Sequence, residues 1–302
     1  MLFRSGKARG VDFRFETPAV RLLREDKGKV TGVIARNAQG NHIRFNADRA
    51  VSLCTGDYGG DRQMVETYCD WRAGHLYESS MAYRDATMAA TGAVIYSAGV
   101  KKGQSVAVFG VGGVGLSALA AAKVVGADPI IAVDLDDDKL EFARRFGATI
   151  TINATNEDPV KVILKATRHP EHLDFFKRPV AGVDFAFDCI GRKTTMEQIL
   201  KAARSGSLGA FSGGTAVLVG VPMSGIELNT LDLLINEKRY IASNGGSCHP
   251  DRDFPIFLEW YKTGQLNLNA LVTQRFTLDQ INEAVMLLEA GGIKGRAILE
   301  FP

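Results

Sequence analysis

The sequence predicts an α/β protein, in which a doubly wound parallel sheet follows a small N-terminal β-meander. Two observations carry this prediction. From residue 101 onward, strand-length apolar runs alternate with helical stretches, a pattern typical of parallel strands joined by crossover helices. Before residue 55, by contrast, apolar and polar side chains alternate with a period of two, which indicates half-buried strands. We therefore expect a meander region over 1–72, a linker and helix over 73–100, and the α/β domain over 101–302.

The N-terminal region is predicted to contain four short strands. Gly and Asn in the intervening turns supply the positive φ that tight hairpins require. The predicted strands are Val11 to Phe15, Lys29 to Arg36, His42 to Phe45 and Arg49 to Cys54, and the turns are Asp26-Lys27-Gly28 and Asn37-Ala38-Gln39-Gly40.

The C-terminal region is predicted to contain six buried strands with helices between them. Continuous apolar strands indicate a sheet covered on both faces. The strands are Ser105 to Phe109, Ile130 to Val133, Ile150 to Ile152, Val183 to Phe187, Ala216 to Val219 and Tyr240 to Ser243. The helices are Thr87 to Ala98, Val114 to Val125, Asp138 to Phe146, Pro159 to Thr167 and Thr194 to Ala203.

Composition and charge exclude several classes of protein. The 36 basic and 34 acidic residues nearly cancel, and no long block of one sign suggests nucleic acid or an anionic membrane as partner. The stretch 116–127 is interrupted by Lys123 and is shorter than the roughly 18–20 residues of a membrane span. The first residues lack the features of a secretory signal, and the four cysteines show no paired spacing. We expect a cytoplasmic protein.

A glycine-rich turn follows the first strand of the α/β region. Gly110-Val111-Gly112-Gly113-Val114-Gly115 has the spacing G-x-G-x-x-G between a strand and an apolar helix. In that context the first glycine permits the tight turn, the second allows close approach of a pyrophosphate, and the third allows helix and strand to pack closely. The amides at the helix start then face the phosphates. The pattern predicts a dinucleotide-binding Rossmann fold.

Asp134 ends the second strand, 19 residues after Gly115. A carboxylate at this place accepts hydrogen bonds from the adenosine ribose hydroxyls and repels a 2′-phosphate, which favours NAD over NADP. The alternative is structural, since Asp134 could simply cap the next helix within the acidic run of residues 136–138.

Five segments between residues 91 and 301 follow the pattern of one family in order: VAVFGVGGVGLSALAAAKVVGA, IIAVDLDDDKLEFARRFGAT, GVDFAFDCIGR, AVLVGVP and IKGRAILEF. On these segments, residues 91–301 resemble the coenzyme-binding part of zinc-type, medium-chain alcohol dehydrogenases. The resemblance implies an NAD(H)-dependent oxidoreductase that transfers hydride between an alcohol or aldehyde and the cofactor. It implies ribose contacts from Asp134 and Lys139, an adenine pocket at Ile190, Gly191 and Arg192, nicotinamide contacts from Val219, Gly220, Val221, Asn244 and Gly245, and a pyrophosphate contact from Arg296. Without the family, Arg296 is a solvated surface base.

The N-terminal stretch contains the segments FRFETPAVRLLRE, GKVTGVIARN and IRFNADRAVSLCTGDYG. On these segments, residues 11–70 resemble an internal piece of the FAD domain of fumarate reductase and succinate dehydrogenase-type flavoproteins. Asp57 replaces the second glycine of the family's Thr-Gly-Gly turn, and the family's own G-x-G-x-x-G is absent from this stretch. We interpret the stretch as a meander that no longer binds flavin.

We find no residues in this sequence that match the zinc ligands of the alcohol dehydrogenase family. We therefore assign no metal ligands, and the catalytic residues stay unknown. His75 has the wrong spacing for the Gly-His-Glu motif, and Asp85 falls where the family has a cysteine ligand. Cys54, Cys69, Cys189 and Cys248 are too scattered to form a structural zinc loop. His249, near the expected nicotinamide edge, is the one histidine to test as a proton shuttle, although a solvent-facing loop residue is the simpler interpretation. His169 and His172 are expected in a polar loop.

Three functions remain open from the sequence. The first is an NAD-dependent alcohol dehydrogenase-like enzyme. The second is an inactive NAD-binding module from a truncated or fused gene, and the third is a flavin-linked oxidoreductase. The resemblance also suggests a homodimer, in which Tyr240 to Ser243 is an edge strand that pairs with its mate.

Overall fold

The computed structural model describes residues 10–24, 29–49, 51, 86–207, 209–222 and 224–300. The chain falls into two compact units, one of residues 1–82 with 300–302 and one of residues 83–299. In the described residues, no helix is both long and apolar enough to cross a bilayer.

The first unit contains an antiparallel sheet of three strands in the order β1-β2-β3. The strands are β1 (Ala19–Arg24), β2 (Val30–Arg36) and β3 (His42–Asn46). The predicted hairpin between β2 and β3 is confirmed, with Val33 opposite Phe45 and with Gly40 at φ +84° in the turn.

The predicted strand Val11 to Phe15 is wrong. Residues 11–15 form no strand, and β2 pairs instead with Ala19–Arg24. Alternation does not suffice for a strand: Val11 and Phe15 are exposed, so the alternating side chains bury no apolar face. The predicted strand Arg49 to Cys54 lies mostly outside the described residues.

The second unit is built on a six-stranded parallel sheet in the order β11-β10-β9-β4-β5-β6. The strands of this unit are β4 (Val106–Phe109), β5 (Ile130–Asp134), β6 (Ile150–Asn153), β7 (His169–Leu173), β8 (Pro179–Val180), β9 (Phe185–Asp188), β10 (Thr215–Leu218), β11 (Arg239–Ala242), β12 (Val272–Thr277) and β13 (Arg296–Glu300). All six predicted strands of the sheet are present within two residues of their expected starts. The fold class, a doubly wound α/β sheet, is confirmed.

Helices connect the strands and cover both faces of the sheet. They are α1 (Ala86–Gly92), α2 (Gly113–Val125), α3 (Asp137–Arg144), α4 (Pro159–Ala166), α5 (Lys193–Ala202), α6 (Thr230–Asn236), α7 (Pro250–Lys262) and α8 (Ile281–Glu289). α1 continues directly into a π-helical turn, Ala93–Ser97, so the helix predicted over 87–98 is present but changes its winding.

The core of this unit lies against the two faces of the central strands. β4 is completely buried, with alternate side chains entering the apolar cluster on either face. One cluster contains the alanine-rich α1 and α2, whose small side chains let both helices approach the sheet closely. This packing fixes the position of the turn between β4 and α2, where the dinucleotide pattern lies.

The polar loop expected around His169 and His172 is a strand, and that expectation is corrected. β7 pairs antiparallel with β8, and all five residues of β7 are exposed, so the strand shows no apolar alternation in the sequence. The buried Asp174 carboxylate organises the following turn, because it accepts bonds from the Phe176 and Arg178 amides, each at 2.9 Å. The strand therefore forms through backbone pairing with β8 and through this turn, and not through burial of an apolar face.

Candidate functional site

The predicted site residues of the second unit gather along one edge of the parallel sheet, where the carboxyl ends of the strands lie. β4 ends at Phe109, directly before Gly110, and β5 ends at Asp134. On the other side of β4, strands β9, β10 and β11 end at the segments 189–191, 219–221 and 243–245. Open α/β sheets bind ligands along this edge, at the point where the strand order reverses. Here that point lies between β4 and β9.

The glycine pattern forms a turn whose first and last glycines are required by the protein itself. Gly110 has φ +86°, and a Cβ there would lie 2.3 Å from Ile190 Cγ1. A Cβ on Gly115 would lie 1.8 Å from the carbonyl oxygen of Gly110. Both positions therefore accept only glycine, because a side chain would meet backbone or break the turn.

Gly112 differs, because nothing in the described protein requires a glycine there. Its φ of −71° and ψ of −165° are open to any residue, and no heavy atom lies within 4 Å of a Cβ built on it. It precedes α2, whose first amides have no partner within the helix and carry a partial positive charge. The open space beside Gly112 is the place where a phosphate can approach the backbone.

Arg296 lies beside the same helix start, although it is 183 residues away in sequence from Gly113 (296 − 113). A Cβ on Gly113 would lie 2.6 Å from Arg296 Nε. The segment before Arg296 is fixed in turn, because Lys294 Nζ lies 2.6 Å from the Asp138 carboxylate at the start of α3. The tertiary structure thus brings the expected phosphate ligand to the expected phosphate turn.

Asp134 does not cap the next helix. That role belongs to Asp136, whose carboxylate accepts bonds from the Asp138 and Lys139 amides at 2.8 and 3.2 Å. Asp134 Oδ2 instead accepts the Val111 amide at 2.8 Å, and Oδ1 accepts the Leu135 amide at 2.8 Å. The carboxylate therefore ties the glycine turn to the end of β5 and retains lone pairs for further donors.

Lys139 is half-buried on α3 and reaches toward the C-terminal segment. Its Nζ lies 3.8 Å from the position that a Cβ on Gly291 would take. The ammonium therefore lies between α3 and the loop that leads to Arg296.

Asp188, at the end of β9, is a residue that the sequence reasoning missed. Its carboxylate is completely buried and accepts the Gly191 amide at 2.8 Å and the Ile190 amide at 3.3 Å. Burial raises the pKa of this carboxyl above its usual value. Its carbonyl oxygen accepts the Val219 and Gly220 amides, both at 2.9 Å. An acidic residue at the end of an apolar strand, as in FAFDCIG, is the signal that could have found it.

These bonds hold the loops after β9 and β10 in close contact. A Cβ on Gly191 would lie 2.0 Å from the Val221 carbonyl oxygen, and one on Gly220 would lie 2.4 Å from the Gly191 nitrogen. Arg192 follows as the residue before α5, with its carbonyl accepting the Met196 amide. Ile190 and Val221 remain exposed at the edge, by 41% and 52%. They form an apolar rim beside the glycine turn.

The loop after β11 packs on α1. A Cβ on Gly246 would lie 2.6 Å from the Ala89 carbonyl oxygen, and one on Gly92 would lie 2.2 Å from Cys248 Sγ. Asn244 is exposed at the head of this loop and Gly245 is half-exposed. The loop thus completes the row of strand ends at the edge of the sheet.

The described residues contain no group of three or more His, Cys, Asp or Glu side chains that could hold a metal ion. Burial raises the pKa of Cys189 beyond its usual range, and that of Cys248 to about 11, so neither is disposed to become a thiolate ligand. His249 is an exposed residue whose backbone amide donates to Asp253 at 2.7 Å. His75, Asp85, Cys54 and Cys69 lie outside the described residues.

Comparison with known proteins agrees with this geometry. Residues 113–263, half of the chain, match the family model described as zinc-binding dehydrogenase. The chain belongs to the zinc-binding dehydrogenase family. A second family model, described as FAD binding domain, matches residues 1–111, so both resemblances seen in the sequence are confirmed.

Three relatives illustrate how far the match to this zinc-binding dehydrogenase chain extends. S-(hydroxymethyl)glutathione dehydrogenase of Paracoccus denitrificans is 34% identical over 202 residues, which are 66% of this chain and 51% of that protein. The solved structure of benzyl alcohol dehydrogenase from Acinetobacter calcoaceticus is 32% identical with a TM-score of 0.61, over 72% of this chain and 55% of that one. An alcohol dehydrogenase zinc-binding domain protein from Burkholderia ambifaria is 31% identical with a TM-score of 0.62, over 72% and 54%. The chain spans about half the length of the curated relatives it matches.

Proposed function

We propose that this chain binds NAD(H) along the carboxyl edge of its parallel sheet and serves hydride transfer between an alcohol or aldehyde and that cofactor. The observation that carries the proposal is Gly112, where the protein leaves open space beside the first amides of α2, so that a phosphate can approach the backbone. Asp134 and Arg296 lie on either side of this turn and supply the two charges that a dinucleotide with a free ribose needs.

Each residue has a specific task in binding. The amides at the start of α2 and the Arg296 guanidinium would hold the pyrophosphate. Asp134 would accept the ribose hydroxyls with its remaining lone pairs, and Lys139 would donate to the same sugar. The rim of Ile190 and Val221 would contact the apolar faces of the bases, because both side chains are exposed beside the turn.

Nicotinamide supplies the carbon that accepts or donates the hydride when the cofactor is bound. The chain's own contribution is orientation, since the buried Asp188 fixes the loops after β9 and β10, and α1 fixes the loop after β11. Together these loops would shield one side of the ring and present backbone groups to it.

The described residues do not fit the zinc ion that the family name implies. They contain no cluster of three candidate ligands, and desolvation raises the pKa of the half-buried Cys189 thiol above its usual range. We therefore derive no catalytic step through a metal from these residues. This observation favours a second candidate function, an NAD-binding module without turnover.

The names of two relatives suggest the substrate class to test. One relative is named for S-(hydroxymethyl)glutathione and another for benzyl alcohol, and both compounds carry a hydroxymethyl group. Small alcohols of this kind, and the matching aldehydes, are the proposed substrates.

The experiment that tests the proposal is calorimetric titration of the whole chain with NADH, NADPH, ADP-ribose and FAD, followed by an assay for NADH formed from benzyl alcohol and S-(hydroxymethyl)glutathione. Binding of NADH at least tenfold tighter than NADPH supports the proposal. Binding without turnover, with or without added zinc, supports the inactive module. If FAD binds and NADH does not, the proposal is wrong, and the match of residues 1–111 to an FAD domain gains weight.

A further inference from the structure

In the strand order of the sheet, the loop after β11 and the proposed adenosine site lie on opposite sides of β4. Asp134 ends β5, on one side of β4, whereas β9, β10 and β11 follow one another on the other side. A dinucleotide whose ribose is held at Asp134 and whose pyrophosphate crosses at Gly112 must extend over β9 to β11. Residues 243–247, which we name the β11 loop, therefore face its nicotinamide half.

The β11 loop has a conformation that its own sequence does not fully favour. Gly245, Gly246 and Ser247 have φ values of +60°, +71° and +53° in succession. Glycine adopts this region freely, but Ser247 pays about 1 kcal/mol or more for it. The surrounding structure must therefore stabilise the loop.

The side chain that meets the loop at both of its ends is Ser97. Its Oγ lies 2.8 Å from the hydroxyl of Ser243 and 2.8 Å from the hydroxyl of Ser247. Ser243 is buried and Ser247 is exposed, so this bridge crosses from the core to the edge of the cleft. A single hydroxyl thus closes the loop, by pairing its first residue and its last.

The π-helical turn Ala93–Ser97 gives Ser97 this position. An inserted residue in a helix rotates everything that follows by about 100°, so an uninterrupted α-helix would direct residue 97 to a different face. Arg252, just beyond the loop, lies over the ring of Tyr96, with Cζ 4.9 Å from the ring centroid, and pairs with the buried Asp253 carboxylate. The same turn therefore meets the loop at Ser97 and the chain just beyond it at Tyr96.

We propose that Ser97 is a positioning residue that holds the β11 loop in the conformation receiving the nicotinamide half of the cofactor. The proposal rests on the proposed function, because it assumes that a dinucleotide binds at this edge. Ser97 does not touch the cofactor in this mechanism. It acts through the loop, and it leaves the adenosine half, bound beyond β4, unaffected.

The test compares NADH with ADP-ribose, which lacks nicotinamide, on the whole chain carrying Ser97→Ala. We expect NADH to bind about fivefold to tenfold more weakly, the effect of one or two neutral hydrogen bonds, while ADP-ribose changes by less than about twofold. Ser97→Thr keeps the hydroxyl and should restore NADH binding. The emission of bound NADH should shift toward that of free NADH in Ser97→Ala alone.

Ser212→Ala is the matched control, because the Ser212 hydroxyl also donates a short hydrogen bond, 2.7 Å to the Glu237 carboxylate. Ser212 lies just before β10, at the amino ends of the strands and away from the proposed cofactor site. Ser212→Ala should leave both ligands unaffected. Equal weakening of both ligands by Ser97→Ala, or of neither, overturns the positioning role. If the unaltered chain binds neither NADH nor ADP-ribose, the proposed function itself fails.

Discussion

Replacement of Gly112 by alanine separates the requirements of a ligand from those of the fold. In the structure this methyl group enters open space, with no heavy atom within 4 Å, and the backbone angles suit alanine. A glycine kept only for a local turn would show a positive φ or a close neighbour, and Gly112 has neither. We therefore expect Gly112→Ala to fold normally and to lose nucleotide binding.

The expected change in stability is small because two effects oppose each other. Alanine is a poorer residue than glycine before a helix, by roughly 0.5–1 kcal/mol, but it lowers the entropy of the unfolded chain by about the same amount. The free energy of unfolding should therefore change by less than about 0.5 kcal/mol. Binding should weaken by about 100-fold or more, because a displaced phosphate loses two or so charged hydrogen bonds of about 1.5–3 kcal/mol each.

Gly115→Ala is the matched comparison within the same turn. Its Cβ would lie 1.8 Å from the Gly110 carbonyl oxygen, so the backbone must move, and we expect a fall of several degrees in Tm. The assay is thermal unfolding together with NADH titration for both variants. If Gly112→Ala binds NADH within about threefold of the unaltered chain, the pyrophosphate does not approach this turn and the reasoning is refuted.

Three further predictions concern separate residues. Asp134→Asn keeps the size of the side chain and should reduce the preference for NADH over NADPH about tenfold or more in parallel titrations; an unchanged ratio would contradict a ribose role. The hydrogen bond from Arg252 is the main reason that the pKa of Asp253 is lowered to about 2. The ionised carboxylate therefore stabilises the fold above about pH 4, and this contribution is lost as the pH falls toward 2. In urea unfolding, Asp253→Asn should therefore cost about 1–2 kcal/mol at pH 6, and the gap should close near pH 2; a gap that is constant with pH would show that the charge is not the cause. Finally, the homodimer stays a prediction, and sedimentation of the whole chain tests it. The Arg239 and Ser243 amides face β10, so the Ala242 amide points away from the sheet; we expect a dimer that Ala242→Pro converts into a monomer and that Ala242→Gly leaves intact, and a monomeric unaltered chain would contradict the prediction.

Much of the second unit follows from local sequence, because its strands are buried on both faces. A continuous apolar run of strand length, such as 130–133, indicates a strand that is buried on both faces, and glycine-rich turns mark where such strands end. The exposed elements were not predictable in the same way. β7 has no apolar alternation, since all of its residues are exposed, and residues 11–15 alternate but bury no apolar face.

The sequence by itself determined the doubly wound sheet, the glycine turn and Asp134, because each depends on residues within about 30 positions of one another. Only the tertiary structure decided that Arg296 lies at the helix start beside Gly113, that Asp136 rather than Asp134 caps α3, and that Ser97 meets Ser243 and Ser247. The physical reason differs between these cases. The contacts of Arg296 and Ser97 join segments separated by up to 183 residues, whereas Asp134 and Asp136 are neighbouring carboxylates with the same local propensity to cap a helix. Chain packing, and not local preference, settles both kinds of question.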